Sequence, residues 1–480
     1  MSDLLWLSAT EAAALMRRKA LSPVEYVEAV LAQIDRLQPS LNCFATVTAD
    51  RARADARRAA DAVLKGEALG ALHGIPVNIK DLFDTEGVVT AHGSAIFARN
   101  VPARDNVLVA RLKAAGAIVV GKSTTPEFGH KGITDSPLHG TTRNPWNPDR
   151  TTGGSSGGAA GAVASGQGPL GLGTDGAGSV RIPAAACGIV GQKPTLGLVP
   201  FEQTAESFSS YAYAGPLTRT VADAALMLNV LAGRADTDPL TMHPSATPLD
   251  PALVGDRLEG FRVGFIRKAA NLELDREVEA ATLAVLARLE ARGAIVEECR
   301  DTVDWEEEAG RIMYMGGQAA AYGGYLPEWG DRMDPSIRAY IAEGETYSLV
   351  QYRRAQFGRT RLFRAVQALF DRHDVLLTPT LPRDALPADF KPGQPVMVNG
   401  VDQRTTRIGW APYVYPFNLT GHPALSVPSG LNRDGLPMGV QLVGRWWADL
   451  DLFRIGAMLE TDAPWREWRP PAAISVAGGG

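Results

Sequence analysis

The sequence predicts an α/β protein: one large domain with helices on both faces of a central sheet. Three observations predict this. Helical patterns and short apolar strands alternate along the chain, as layered α/β architectures require. Neither an internal repeat nor a change in composition marks a linker, so the 480 residues read as one domain over 1–475 with a flexible tail at 476–480. Apolar residues make up 45% of the chain and charged residues 21%, enough to build a sizeable core.

The elements follow in order. Two helices open the chain. Ser22-Pro23-Val24-Glu25 has the form of a capping box with proline at the first helical position. Val24, Val27, Val30, Leu31 and Ile34 then recur at helical spacing. A third helix, rich in Ala and Arg, covers about 50–65. Over 72–81, Val77 and Ile79 alternate with Asn78 and Lys80 as in a strand, and a lysine at such a strand end is ordinarily solvated. A helix over 106–115 leads into a buried strand at 117–120. Later come a helix at 220–231, a strand at 262–266, a long helix at 275–292 and a strand at 294–297. The segment 303–361 is aromatic and helical, and is either a cap over a site or more outer helix. Strands at 375–380, 423–428 and 438–443 and a helix at 449–459 complete the series.

Several classes of function are disfavoured. The net charge is −5 and no basic block stands out, so nucleic acid and anionic membranes are not expected partners. No apolar run is long enough to span a bilayer. Residues 1–6 lack a basic leader region. Cys43, Cys187 and Cys299 are far apart and odd in number, which gives neither a disulfide framework nor a zinc spacing. A cytoplasmic location is expected. Three short motifs are decoys. The phosphate-loop pattern at 116–123 contains the strand 117–120 where a loop is needed. The G-x-S-x-G at 153–157 follows a poor strand. The G-x-G-x-x-G at 171–176 begins inside a strand-like run and opens no amphipathic helix.

The stretch 151–193 organises the chain. A flexible Gly/Ser linker has a similar composition, but it has no reason to contain Pro169-Leu170-Gly171-Leu172 or Ile189-Val190. Glycines here allow backbone to approach another group closely. None of the seven histidines lies in a recognisable motif; a Ser-His-Asp set needs only to meet in space and has no positive support. A serine–lysine device is the other route. Lysine acts as a base only when neutral, and burial and nearby positive charge both lower its pKa. Small residues around Ser155 and Ser179 allow Lys80 to come close with water excluded. The N–H groups of Gly176, Ala177, Gly178 and Ser179 are candidates for an oxyanion hole, in which one donor contributes about 3 kcal/mol of transition-state stabilisation.

These residues resemble the amidase signature family. The resemblance rests on Gly74-Ile75-Pro76-Val77 leading to Lys80-Asp81, and on Gly153-Gly154-Ser155-Ser156-Gly157-Gly158. It extends through Gly178-Ser179, Arg181-Ile182-Pro183 and Gly188 through Thr195. It is dense over about 74–233, with weaker C-terminal elements such as Asn418-Leu419-Thr420-Gly421. It implies a mixed central sheet and a Ser-cisSer-Lys triad. Ser179 would be the nucleophile, Ser155 the bridging serine with a cis bond to Gly154, and Lys80 the base. Ser156, Thr174, Asp175 and Arg181 would hold the network. No metal or organic cofactor is implied. The chain departs from the family pattern at Ala177, where a glycine is usual.

The resemblance leaves the substrate open. Glutamine-using members resemble one another in an acidic residue before the Pro-x-Asn element, and 410–418 contains none. Arg359, in a helix over 352–369, is read as a surface charge. Tyr314, Met315, Trp410 and Tyr413 are candidate lining residues that favour an aryl substrate, with core packing as the alternative. The expectation is a hydrolase of small amides, including anilides and carbamates, with side esterase activity, acting as a monomer or homodimer. The alternatives are the glutaminase subunit of a tRNA-dependent amidotransferase and an inactive binding or scaffold protein.

Overall fold

Short polar side chains set the helix starts. Ser22 Oγ accepts the Val24 N–H at the head of helix Pro23–Leu41, which ends at Asn42 in the left-handed region. The capping box expected there is not closed: Glu25 stays exposed and Ser22 Oγ is taken by Val24. The reciprocal pair forms one helix earlier. There Ser8 Oγ accepts the Glu11 N–H at 3.0 Å and Glu11 Oε2 accepts the Ser8 N–H at 2.9 Å. Thr220, Asp275 and Ser348 cap later helices in the same way.

The computed structural model describes residues 3–202, 204–208, 211–241, 249, 257–301 and 303–474. The expected tail at 476–480 lies outside the described residues. Its strands are β1 (Phe44–Val47), β2 (Pro76–Lys80), β3 (Ile118–Ser123), β4 (Asp135–Ser136), β5 (Gly140–Thr141), β6 (Leu170–Asp175), β7 (Val190–Lys193) and β8 (Tyr213–Thr218). They continue with β9 (Arg262–Phe265), β10 (Ile295–Glu298), β11 (Val375–Pro379), β12 (Met397–Val398), β13 (Val401–Asp402), β14 (Ala424–Leu431) and β15 (Pro437–Gly444).

Eleven of them form one mixed sheet in the order β1-β3-β2-β6-β8-β7-β14-β15-β11-β9-β10. β2 runs parallel to both β3 and β6, whereas β6–β8 and β14–β15 are antiparallel. β4–β5 and β12–β13 are separate two-stranded ribbons. All five residues of β2 are buried rather than alternate ones, because neighbours cover both edges and helices flank the sheet.

The main core joins helices Ala9–Arg17, Pro23–Leu41 and Ala49–Lys65 to β2 and β3. It continues through helices Val221–Leu231, Arg276–Ala291 and Asp449–Asp462 to the far half of the sheet. Burying one such Leu, Ile or Val side chain contributes roughly 1.5–3 kcal/mol. Helix Gly157–Ala164 is buried along its whole length. Its Gly/Ala sequence has no polar face, so it packs on every side. Among the described residues no helix is long and apolar enough to cross a membrane.

Candidate active site

β2 and β6 lie side by side and parallel, with Ile79 opposite Leu172. Their C-terminal residues therefore emerge on one edge of the sheet: Lys80 from β2, Thr174 and Asp175 from β6. The turn before helix Gly157–Ala164 packs onto this edge. It comes so close that a Cβ on Gly173 would lie 2.8 Å from Ser156 Oγ. Thr134 pins the turn from outside, donating to the Gly153 carbonyl at 2.8 Å and accepting the Gly157 N–H at 3.1 Å. The Gly154–Ser155 peptide bond is cis.

Lys80 is 0% exposed. Its Nζ lies 2.7 Å from Ser155 Oγ, 3.0 Å from Ser156 Oγ and 2.8 Å from Thr174 Oγ1. Burial pushes the amine well below the ordinary lysine value, against the opposing pull of Asp175. The Ser156 hydroxyl donates to the Thr174 carbonyl at 3.2 Å. Its proton is thereby engaged, and toward Lys80 it can only accept.

Ser179 stands in the loop between β6 and helix Arg181–Cys187. Its carbonyl accepts the Ser156 N–H at 3.2 Å, which ties the two serine-bearing turns together. Asp175 anchors the loop. Its carboxylate accepts N–H bonds from Gly178 at 2.7 Å, Val180 at 3.2 Å and Arg181 at 3.4 Å. It also pairs with the Arg181 guanidinium at 2.9 and 3.0 Å and accepts from Asn418 Nδ2 at 2.8 Å. Burial alone would raise this carboxyl, but Arg181 and Asn418 outweigh it and hold it well below the usual carboxylate range.

These bonds correct one expectation. The Gly178 N–H is spent on Asp175, so Gly178 is not a free oxyanion donor. The N–H groups of Gly176, Ala177 and Ser179 have no acceptor among the described residues.

Ser179 and Ala177 face a cavity of about 1020 Å³, with Lys80 and Ser155 buried behind them. Helices Glu307–Tyr322 and Pro335–Gly344 form much of the opposite wall, and the ribbons β4–β5 and the 404–407 segment border it. The third helix of the region, Leu349–Phe370, packs behind the first. Tyr314, Met315 and Trp410 line the cavity. Tyr314 donates to the His130 carbonyl at 2.6 Å, and Trp410 Nε1 to the Gly132 carbonyl at 3.0 Å.

Tyr413 does not line the cavity. The turn at 411–413 sends its ring into a cluster with Leu274, Val278 and Met438, where its hydroxyl donates to the Arg267 carbonyl at 2.7 Å. Arg359 also lies elsewhere, half-buried and donating to the Leu419 carbonyl at 2.5 Å. His130 reaches the cavity wall, but its Nε2 meets Ser336 Oγ at 2.6 Å. None of the described histidines bonds to Ser155, Ser156 or Ser179.

The amidase family matches this chain over residues 25–453. The chain belongs to the amidase signature family. An acylamidase of Rhodococcus erythropolis is 38% identical over 481 residues, with 99% of each chain covered. A glutamyl-tRNA(Gln) amidotransferase subunit from Chloroflexus aurantiacus is 37% identical over 502 residues, covering 99% of this chain and 100% of the relative. Among solved structures, a bacterial aryl acylamidase of the amidase signature family superimposes with a TM-score of 0.90 at 31% identity, covering 98% of this chain and 99% of its own. A 6-aminohexanoate cyclic dimer hydrolase does so with a TM-score of 0.84 at 27% identity, covering 98% and 99%. As a family member, this chain is a hydrolase of carbon–nitrogen bonds in small, non-peptide amides.

Two site residues escaped the sequence reading. Asn418 bonds both Asp175 and Arg181, and Gln441 Oε1 accepts from Arg181 Nη1 at 2.5 Å. Asn418 stands in one of the C-terminal motifs that carry the family resemblance, which was its signal. Gln441 closes another of those motifs, Gly435 through Gln441, and had the same signal.

Proposed function

We propose that this amidase hydrolyses aryl amides and aryl carbamates, with side activity on esters, through an acyl-enzyme on Ser179. The observation that carries the mechanism is the buried contact of Lys80 Nζ with Ser155 Oγ. A neutral amine has two N–H donors and one lone pair. Donation to Ser156 and Thr174 uses both donors and leaves the lone pair for the Ser155 O–H. Ser155 then accepts the Ser179 proton as it passes its own to Lys80, while Ser179 Oγ attacks the carbonyl carbon. The N–H groups of Gly176, Ala177 and Ser179 serve the oxyanion. The relay reverses to protonate the leaving nitrogen, the amine departs, and water cleaves the acyl-enzyme by the same route. Ser156, Thr174, Asp175 and Arg181 fix the geometry of this relay.

The aryl preference is supported by Trp410 and Tyr314 on the cavity wall and by the likeness to aryl acylamidases. Liquid chromatography–mass spectrometry tests it. One aryl amine is offered as its acetamide, its butyramide and its alkyl carbamate, beside glutamine, to the wild type and to Ser179→Ala. Aryl amine released by the wild type alone is expected.

The amidotransferase relatives favour a second reading, a glutaminase that supplies ammonia to a partner. Against it stand the lack of an acid in 410–418 and the engagement of Arg359 with a carbonyl. Ammonia from glutamine, with no aryl amine from any probe, would select that reading.

A further inference from the structure

Charged side chains on the cavity wall are mostly closed into pairs. Lys131 Nζ lies 2.6 Å from Asp334 and 2.7 Å from Asp135. Lys391 reaches Asp135 at 3.0 Å, and Arg311 holds Glu343 through two bonds of 2.5 and 2.8 Å. Arg404 is exposed at the rim.

Arg407 differs from all of these. Its side chain is only 16% exposed, and its nearest carboxylate, Glu307, is 3.9 Å from Nε, beyond hydrogen-bonding distance. Among the described residues its guanidinium makes no hydrogen bond. Its carbon instead lies 5.7 Å from the ring centre of Tyr314 and 5.3 Å from that of Tyr415. Contact with aromatic rings holds a guanidinium in place without using its N–H groups. Five N–H donors without an acceptor among the described residues thus face the cavity, and their planar fork matches a carboxylate.

The position of Arg407 sets the kind of ligand. Arg407 and Trp410 share helix Thr406–Trp410 and are three residues apart, on one face and about 4.5 Å apart along the axis. Trp410 packs toward Gly132 and Ile182, and Ile182 is three residues beyond Ser179. Arg407, Trp410, Ile182 and Ser179 all line the one cavity. A ligand whose carbonyl meets Ser179 can therefore present an anion to Arg407 from within the same cavity.

We propose that Arg407 is a specificity-determining anion receptor, and that the preferred substrates are amides or carbamates that also carry a carboxylate. The word substrate here rests on the amide-hydrolase reading above; the receptor itself does not.

The test has a binding arm and a kinetic arm. Benzoate and nitrobenzene have the same shape and differ in charge. Calorimetry on the full chain is expected to show benzoate binding at least fivefold more tightly than nitrobenzene, with Arg407→Gln abolishing that preference. Glu307→Gln removes the competing carboxylate and is expected to tighten benzoate about threefold, a gain that a misfolded variant cannot give. In the kinetic arm, succinanilate is compared with butyranilide. Arg407→Gln is expected to lower the succinanilate-to-butyranilide ratio of kcat/KM at least tenfold, through KM rather than kcat. Equal binding of the two benzene derivatives by the wild type overturns the proposal. So does a benzoate preference that survives Arg407→Gln, which would place the carboxylate at the Ser179 loop. Failure to hydrolyse either anilide counts against the amide reading alone, and the binding arm still decides on Arg407.

Discussion

Lys80 Nζ lies 2.7 Å from Ser155 Oγ, and neither residue is more than 1% exposed. A charged ammonium at that position would forgo its hydration, with three hydroxyl contacts and the pull of Asp175 in return. Burial wins, and the amine is held in its basic form.

The first prediction concerns pH. In the proposed relay the competent form of Lys80 is neutral, and its pKa in the folded chain lies well below the free value of about 10.4. Activity on an aryl amide is therefore expected to be lost as pH falls through the folded pKa and to level off above it. The unfolded chain binds the extra proton between the two pKa values, so the contribution of Lys80 to stability rises with pH over that window. A kcat/KM profile from pH 5 to 9.5 checks the first statement. A steady decline from pH 6 to 9 with intact protein would refute it.

Ser179→Ala is expected to lower kcat by about 10⁴-fold or more, the scale on which nucleophile removal acts. A fluorophosphonate probe read by intact mass should add one adduct to the wild type and none to this variant. Adduct formation in Ser179→Ala would move the nucleophile elsewhere.

Arg181→Met leaves Asp175 as a buried charge without its cationic partner. Breaking such a pair costs about 3–5 kcal/mol. Urea denaturation should show a loss of that size. Activity should fall as well, because the Gly178–Ser179 loop hangs on the same carboxylate. Unchanged stability would mean that Asn418 and the loop N–H groups suffice to hold Asp175.

Gly178 has φ of +105°, and a Cβ there would overlap Val414 Cγ2. Gly178→Ala should displace the loop and cost both stability and turnover. Adding Val414→Ala relieves the overlap but not the backbone angle, so partial recovery is expected. Thermal denaturation and kcat/KM of the single and double variants check this.

Tyr413→Phe and Trp410→Phe separate core from cavity. Tyr413→Phe removes a hydroxyl that bonds Arg267 and Asn271. It should cost about 1 kcal/mol in a denaturant titration, with KM for aryl amides unmoved. Trp410→Phe should raise that KM. A KM change from Tyr413→Phe would contradict its placement.

What the sequence disclosed and what it withheld follow from range. The strands at 117–120, 262–266, 375–380 and 438–443 were legible because apolar runs and nearby turns are local signals. Strand β8, Tyr-Ala-Gly-Pro-Leu-Thr, contains glycine and proline and shows neither run nor alternation. Helix Gly157–Ala164 lacks a polar face, so no period marks it. The burial of Lys80 was invisible in 72–81 alone, since β3, β6 and the 153–156 turn that enclose it come from later in the chain. Trp410 and Tyr413 looked alike in sequence, and only the turn between them sends one to the cavity and the other to the core. The spacing of Lys80, Ser155 and Ser179 was readable only as a family resemblance, because nothing in one dimension says that three segments meet.

The pairing of Ile79 with Leu172 has a consequence for descent. In the proposed relay the base stands on β2 and the loop bearing the nucleophile leaves β6, so adjoining strands carry the reacting groups while helices Glu307–Tyr322, Pro335–Gly344 and Thr406–Trp410 line the cavity they open on. On that reading, mutations in those helices change the diet of a lineage without touching its chemistry. A common ancestor could in this way leave heirs that share one reaction and differ in what they consume.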